Sequence, residues 1–288
     1  MSHSHISSNS SSQILPDSTT PIVLTIAGSD SGGGAGIQAD IKAMSATGSY
    51  SCSVITAITS QNTLGVSAIF PIPIDHIETQ LDAVFTDLNV VAVKVGMLAD
   101  SEIIKTVAAK VKQYRPQFVV VDPVMVATSG DLLLEKSAIS TLKAELLPLA
   151  DVITPNLPEG AALIGSSIPT NESAMNLMIA DLRQLGANSV LLKGGHLECD
   201  ENSNDLLIFS DRVERLSAKR VDTHNTHGTG CTLSSAIASY LAQGNELLSA
   251  VKLAKQYISL AIAHADELDI GQGHGPVHHF FDGHNDVR

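Results

Sequence analysis

The chain has 288 residues, with 17 Lys+Arg against 30 Asp+Glu, a formal net charge of −13, 44% apolar residues and no Trp. That length and apolar fraction exclude global disorder and allow a sizeable core, built from Ala, Val, Ile, Leu and Met because aromatics are scarce. A chain this acidic offers no field to attract nucleic acid or an anionic membrane surface, so neither is expected as a partner.

Residues 1–20 are rich in Ser and carry His3 and His5, with no basic start and no apolar run. This reads as a disordered tail and not as a signal peptide. From residue 21 to 288 the pattern is that of one domain, without linker or repeat. Ile22 to Ala27 is a short apolar strand stopped by Gly28, and Ile37 to Thr47 is a helix after the turn Gly32 to Gly36. Ser53 to Thr59 is a strand. Asp75 to Asp87 is a helix with Ile77, Leu81, Val84 and Phe85 on one stripe. Val91 to Val95 is a strand, Ser101 to Tyr114 a helix, and Phe118 to Asp122 a very apolar strand.

The second half continues the alternation. Lys136 to Leu147 is helical, Asp151 to Thr154 is a strand, and Leu157 to Ile164 is a short helix with Pro158 in its first turn. Glu172 to Leu185 is a helix and Ser189 to Lys193 a strand. Asp205 to Phe209 and Arg212 to Leu216 form a hairpin. Thr229 to Gln243 and Glu246 to Leu268 are closing helices. Fully apolar strands alternating with helices imply a mainly parallel sheet covered on both faces.

Cys52, Cys199 and Cys231 are an odd and sparse set without a C-x-x-C pair, which points to a reducing compartment, the cytoplasm. No stretch of about 18 apolar residues is present to span a membrane.

In parallel sheets ligands sit beyond the carboxyl ends of the strands. There the sequence gathers Gly28-Ser-Asp30, Thr59-Ser-Gln61, Lys94-Val-Gly96-Met97, Asp122-Pro123, Thr154-Pro-Asn156 and Lys193-Gly-Gly-His196. The turn Gly34-Ala-Gly36 loosely matches a dinucleotide fingerprint. That fingerprint also needs an acidic residue about 20 positions on, and none occurs between Asp40 and Asp75. There is no P-loop. Asp40, on spacing alone, reads as an acid near a helix start that complements the dipole.

The turn Asn225-Thr-His-Gly-Thr-Gly-Cys-Thr232 is sharper. Backbone N–H groups of Gly228, Thr229, Gly230 and Cys231 at a helix N-terminus make an anion site. The dipole is expected to lower the pKa of Cys231 in the same turn; the alternative is a capped helix with a small buried Cys. Asp122 and Glu159 could hold Mg²⁺ through waters, or serve as a buried acid and a helix cap. Lys193 could reach a phosphate, or snorkel. His274, His278, His279 and His284 crowd the C-terminus, but Gly271, Gly273, Gly275 and Pro276 break any helix there, so they read as a packed tail and not a metal site.

Six segments in order resemble the hydroxymethylpyrimidine/phosphomethylpyrimidine kinases of thiamine biosynthesis. They are Ala27 to Asp40, Lys94 to Leu98, Thr154 to Glu159, Leu192 to His196, Asn225 to Thr232 and Gly273 to Phe280. The resemblance implies a ribokinase-like three-layer α/β/α sandwich, ATP and Mg²⁺ as cofactors, and a homodimer. It implies two phosphorylations, from 4-amino-5-hydroxymethyl-2-methylpyrimidine to the monophosphate and then to the diphosphate. By the same likeness Gly28, Asp40, Gln61 and Met97 match the pyrimidine pocket. Lys193, with Asn156 and Thr226, falls on the nucleotide side, Asp122 and Glu159 on the magnesium side, and residues 228–231 on the anion hole. Cys231 stands where the sugar kinases of the superfamily carry an Asp base, and is read here as the base. The rival readings are a pyridoxal kinase of the same superfamily, a catalytically silent pyrimidine sensor, and a nicotinamide dehydrogenase, the last weakened by the missing acid.

Overall fold

A computed structural model describes residues 20–125, 137–195, 197 and 201–282. The Ser-rich tail up to residue 19, the start of the expected helix at Lys136, and His196, Cys199 and His284 lie outside the described residues. The strands are β1 (Ile22–Asp30), β2 (Tyr50–Asn62), β3 (Gly65–Pro71), β4 (Val90–Val95), β5 (Phe118–Val121), β6 (Val152–Ile153), β7 (Val190–Leu192), β8 (Asn202–Ile208) and β9 (Val213–Lys219). The helices are α1 (Gly36–Ala46), α2 (Ile74–Asp87), α3 (Ser101–Tyr114), α4 (Ala138–Thr141), α5 (Leu157–Ile164), α6 (Glu172–Leu177), α7 (Ile179–Leu182), α8 (Thr229–Ala242) and α9 (Leu247–Ala263).

The strands form one sheet in the order β3-β2-β1-β4-β5-β6-β7-β8-β9. From β2 to β7 the pairing is parallel; β3, β8 and β9 are antiparallel additions at the two edges. Period-two alternation divides the core in two. Leu24, Ile26, Val93, Val95, Val119, Val121, Ile153 and Leu192 pack on one face with α2, α3 and the segments from 138 to 185. Val23, Ala92, Val120, Val152 and Leu191 pack on the other with α1, α8 and α9. This is the three-layer α/β/α sandwich with a mainly parallel sheet.

Local expectations are corrected at five places. Residues 65–71 form an edge strand that the apolar pattern did not announce, because most of its side chains are exposed. The helix expected from Lys136 to Leu147 is α4 continued by a π-turn over Leu142–Leu146 and a 3₁₀ turn over Leu147–Leu149. The helix expected over Glu172–Leu185 breaks at Met178 into α6 and α7. The hairpin is longer than read, and the last helix stops at Ala263, with a 3₁₀ turn after it.

The sheet presents its strand ends to one side. β1 pairs with both β2 and β4, so the order reverses there, and a register shift between Ala27 and Ser29 opens the end of β1. That reversal is where an open parallel sheet leaves a crevice. Among the described residues no helix is long and apolar enough to cross a membrane.

Candidate active site

A cavity of about 770 Å³ lies over the strand ends. Its lining brings together Gly28, Gln61 and Met97, residues 228–231 with Asp122, Glu159 and Lys193, Asn156 and Thr226, and Arg220, Lys255, Ile258 and Ile262. Residues singled out from seven separate segments of the sequence therefore meet in one cleft.

Asp40 is the exception. It does not line the cavity and is fully buried behind its wall. Its carboxylate accepts both 2.8 Å bonds from Lys94 Nζ, one from Thr25 Oγ1 at 2.5 Å and one from Ser235 Oγ at 2.7 Å. It also sits a turn inside α1, with no acid in the first turn, so the dipole reading fails as well. Asp40 is the anchor of Lys94, which was left without a role in the sequence. Burial is the largest influence and would discourage charge on Lys94, but its acidic neighbours, Asp40 foremost and Asp122 after it, together hold the ammonium above its ordinary pKa.

The anion turn is built by close backbone packing. Gly228 caps α8 at φ +80, and a Cβ placed there would stand 1.8 Å from the Gly34 carbonyl oxygen. Only glycine supplies both the left-handed backbone and the room. Gly228→Ala is therefore expected to lose most turnover and to lower the melting temperature by several degrees. Thermal unfolding and a steady-state assay check this, and a variant within about twofold of wild type would contradict it. The N–H groups of Gly230 and Cys231 lie in the first turn of α8, where no carbonyl four residues back within the helix is available to them.

Lys193 Nζ donates to Asp122 Oδ1 at 3.1 Å, and a Cβ at Gly230 would stand 3.2 Å from that Nζ and 3.5 Å from Asp122 Oδ2. The lysine thus lies against the anion turn instead of snorkelling outward. Asp122 also accepts from Thr154 Oγ1 at 2.8 Å. Burial would lift its pKa, but Lys193 and then Lys94 outweigh that and hold it below the ordinary carboxylate range. Glu159 is the N3 residue of a capping box with Asn156: each accepts from the other's backbone N–H at 2.8 Å. Burial pushes Glu159 up to about 7, with Lys193 opposing and Asp122 adding to the rise. Glu159 is thus the helix cap and Asp122 the buried, paired acid, and both carboxylates line the cavity.

The expectation for Cys231 is overturned. Burial pushes its thiol up to about 11; Lys94 pulls down against Asp40 and Asp122, which push up.

Four contributors went unrecognised in the sequence. Lys255 Nζ donates to Asp205 Oδ2 at 2.6 Å, and Asp205 Oδ1 accepts the Gly194 N–H at 2.9 Å, which fixes the turn after Lys193. Lys255 stands on the apolar face of α9 among Ala250, Val251, Ala254 and Ile258, and a lone charge there was the available signal. His227 and Asp30 meet at 2.9 Å across the sheet. No spacing rule could pair them. Of the C-terminal histidines, His279 Nε2 lies 2.9 Å from Thr232 Oγ1 and its carbonyl accepts from Tyr257 Oη at 2.9 Å, so this segment packs on α8 and α9.

A mainly parallel sheet sandwiched by helices, with the start of a helix and a lysine meeting over the strand ends, is the architecture of the ribokinase-like small-molecule kinases. Sequence comparison agrees. Residues 30–278 match the profile described as phosphomethylpyrimidine kinase, and the chain belongs to that family. It is 53% identical over 261 residues to a hydroxymethylpyrimidine/phosphomethylpyrimidine kinase of Rhizobium meliloti, covering 91% of this chain and 97% of that one. The enzyme of the same name from Escherichia coli is 49% identical over 257 residues, with 89% and 96% covered. Among solved structures, a phosphomethylpyrimidine kinase from Clostridium difficile is similar with a TM-score of 0.74 at 45% identity, covering 84% of this chain and all of that one. A Bacillus subtilis pyridoxal kinase in complex with ADP has a TM-score of 0.84 at 36% identity, covering 91% and 98%.

Proposed function

We propose that this chain phosphorylates 4-amino-5-hydroxymethyl-2-methylpyrimidine, first to the monophosphate and then to the diphosphate, with ATP as donor. The observation that carries this reading is the single cleft that brings Gly28, Gln61 and Met97 together with the anion turn and Lys193. On this reading a planar ring would lie against Gly28, Gln61 and Met97 with its hydroxymethyl group at the turn, and the polyphosphate would run along Lys193 toward Lys255 and Arg220. The N–H groups of Gly230 and Cys231 and the start of α8 face the charge that develops on the transferred phosphoryl group. Few cationic side chains are needed, which reconciles an acidic chain with an anionic ligand.

Asp122 and Glu159 fit Mg²⁺, which binds through one or two carboxylates together with substrate phosphates. Both are buried at the cavity wall beside Lys193, and no larger ligand cluster occurs among the described residues. The ion would neutralise phosphate charge there. Glu159→Gln keeps a side chain able to complete the capping box. It is expected to raise the Mg²⁺ concentration for half-maximal turnover about tenfold with little change in melting temperature. Titrating Mg²⁺ at saturating substrates measures this; an unchanged half-point would remove Glu159 from the metal side.

The deciding experiment resolves monophosphate from diphosphate after incubation with the pyrimidine alcohol, ATP and Mg²⁺, with pyridoxal as a parallel acceptor. Faster turnover of pyridoxal would favour the pyridoxal kinase reading, and binding without ATP consumption the sensor. A cytoplasmic homodimer belongs to the same proposal. The exposed Ile58 and Phe70 on the β2–β3 edge support an association surface, and sedimentation tests it.

A further inference from the structure

Asp30 and His227 lie 197 residues apart and are both buried. Asp30 organises the glycine loop after β1. Its Oδ1 accepts the N–H of Gly32 at 2.8 Å, and its Oδ2 accepts those of Gly34 and Ala35 at 3.0 and 2.8 Å. The same Oδ2 receives His227 Nε2 at 2.9 Å. His227 directly precedes the cap of α8, and its own N–H donates to the Gly275 carbonyl at 3.0 Å. The acceptor-side loop and the anion turn are thus joined through one imidazole. Burial would favour a neutral Asp30, but the bonds from His227 and the loop outweigh it and keep the carboxylate ionised.

An ionised carboxylate only accepts, so His227 Nε2 carries a proton whether the ring is neutral or charged. That proton has a second consequence. The Gln61 amide has one end 3.2 Å from Thr59 Oγ1 and the other 3.4 Å from His227 Nε2. Thr59 gives its single proton to the Ser29 carbonyl at 2.7 Å, so on its other side it can only accept. The amide that satisfies both neighbours turns its NH₂ to Thr59 and its oxygen to the His227 N–H, where it is the long arm, at 3.4 Å, of a bifurcated bond whose short arm goes to Asp30 Oδ2 at 2.9 Å. Oxygen and nitrogen are interchangeable in shape, and proton bookkeeping decides between them.

We propose that Asp30 and His227 are a positioning pair that holds the acceptor loop against the anion turn and sets which way Gln61 presents its amide to the acceptor ring. This rests on the kinase reading above. Neither residue needs to touch the transferred phosphoryl group; both act through Gln61 and the Gly228 turn.

The test compares wild type with His227→Met, His227→Gln, Asp30→Asn and the Asp30→Asn/His227→Met double variant. Gln retains an N–H donor at a reach similar to that of imidazole Nε2. His227→Met is expected to lower kcat/KM for the pyrimidine alcohol about a hundredfold, the scale of a reacting group displaced by ~1 Å. The KM for ATP should stay within about threefold, and His227→Gln should recover at least about tenfold of the loss. The double variant should cost about as much as the worse single one, since the two act as a unit. Full activity in His227→Met, no recovery in His227→Gln, an equal rise in the KM for ATP, or additive losses would each overturn the proposal. Ring ¹⁵N shifts of wild-type histidines give a readout independent of variant folding: His227 should carry its proton on Nε2, and an Nδ1–H tautomer would overturn the proposal. A wild type that turns over neither pyrimidine would fail the kinase reading instead, and the ring spectrum would then still decide the pair.

Discussion

Lys94→Met is expected to lower the melting temperature by about 10 °C. The ammonium and the Asp40 carboxylate are both fully buried and joined by two 2.8 Å bonds. Removing one partner of such a pair leaves an uncompensated charge, which costs roughly 3–5 kcal/mol. For a chain near this size ~1 kcal/mol shifts the melting temperature by about 2–4 °C. Thr25 and Ser235 would still donate to Asp40, which keeps the loss at the lower side of that range. Replacing both partners, Asp40→Leu with Lys94→Met, should recover more than half of the loss, because an apolar pair needs no compensation. Thermal unfolding of the three variants decides the matter. A single Lys94→Met variant within about 2 °C of wild type would show that the pair contributes nothing net.

Cys231→Ala is expected to cut kcat by about 10²–10⁴, the range for loss of a general base, while the KM for ATP stays within about threefold. The resting residue is a thiol: at about 11, its ionised fraction at neutral pH is about one part in 10⁴. Scarcity and strength oppose each other, since a thiolate of high pKa is the better proton acceptor when it does form. Below the thiol pKa, each unit of rising pH increases the thiolate about tenfold, so kcat should climb with pH through the neutral range. Cys231→Ala should flatten that climb. A wild-type profile already level near neutrality, or an alanine variant with the same slope and near-normal turnover, would sink the base assignment.

The layered sheet was legible because its strands are buried on both faces. Phe118 to Val121 and Val190 to Leu192 are continuous apolar runs, and such runs between amphipathic segments admit few other arrangements. Strand β3 escaped for the converse reason: Ile69 and Phe70 are exposed at an edge, so apolar character there reports no core. The π-turn escaped because Leu142 and Leu146 keep a helical spacing that does not distinguish hydrogen bonds four residues apart from those five apart. In the site, strand-end glycines and polar residues marked the cleft correctly, since the chain has little other reason to place them there. Asp40 was misplaced because its motif adjoins the cavity while its side chain turns into the wall. The signal lay in Lys94, a single charge in the otherwise apolar Val90–Val95, which requires a buried partner. Cys231 was misjudged because position in a helix reveals the dipole but not the depth of burial. The meeting of Asp30 with His227 depends on the whole topology and has no local trace.

The C-terminal segment reaches back to the β2–β3 hairpin. Gly273 donates its N–H to Thr63 Oγ1 at 3.2 Å across 210 residues, and His274 donates to the Thr63 carbonyl at 3.0 Å. On a ribosome adding about 5–20 residues per second, Thr63 is synthesised about 10–40 s before these partners exist. Throughout that interval the hairpin is held to the β1 loop by Ser31 but lacks the C-terminal contacts at Thr63, and the turn at His227 lacks Gly275. The nascent chain can assemble most of its parallel sheet early, but the cleft closes only when translation is nearly over. Chains that stop before this segment would therefore hold the strand-end residues of the cleft without the contacts that join its hairpin and its glycine turn to the C-terminus.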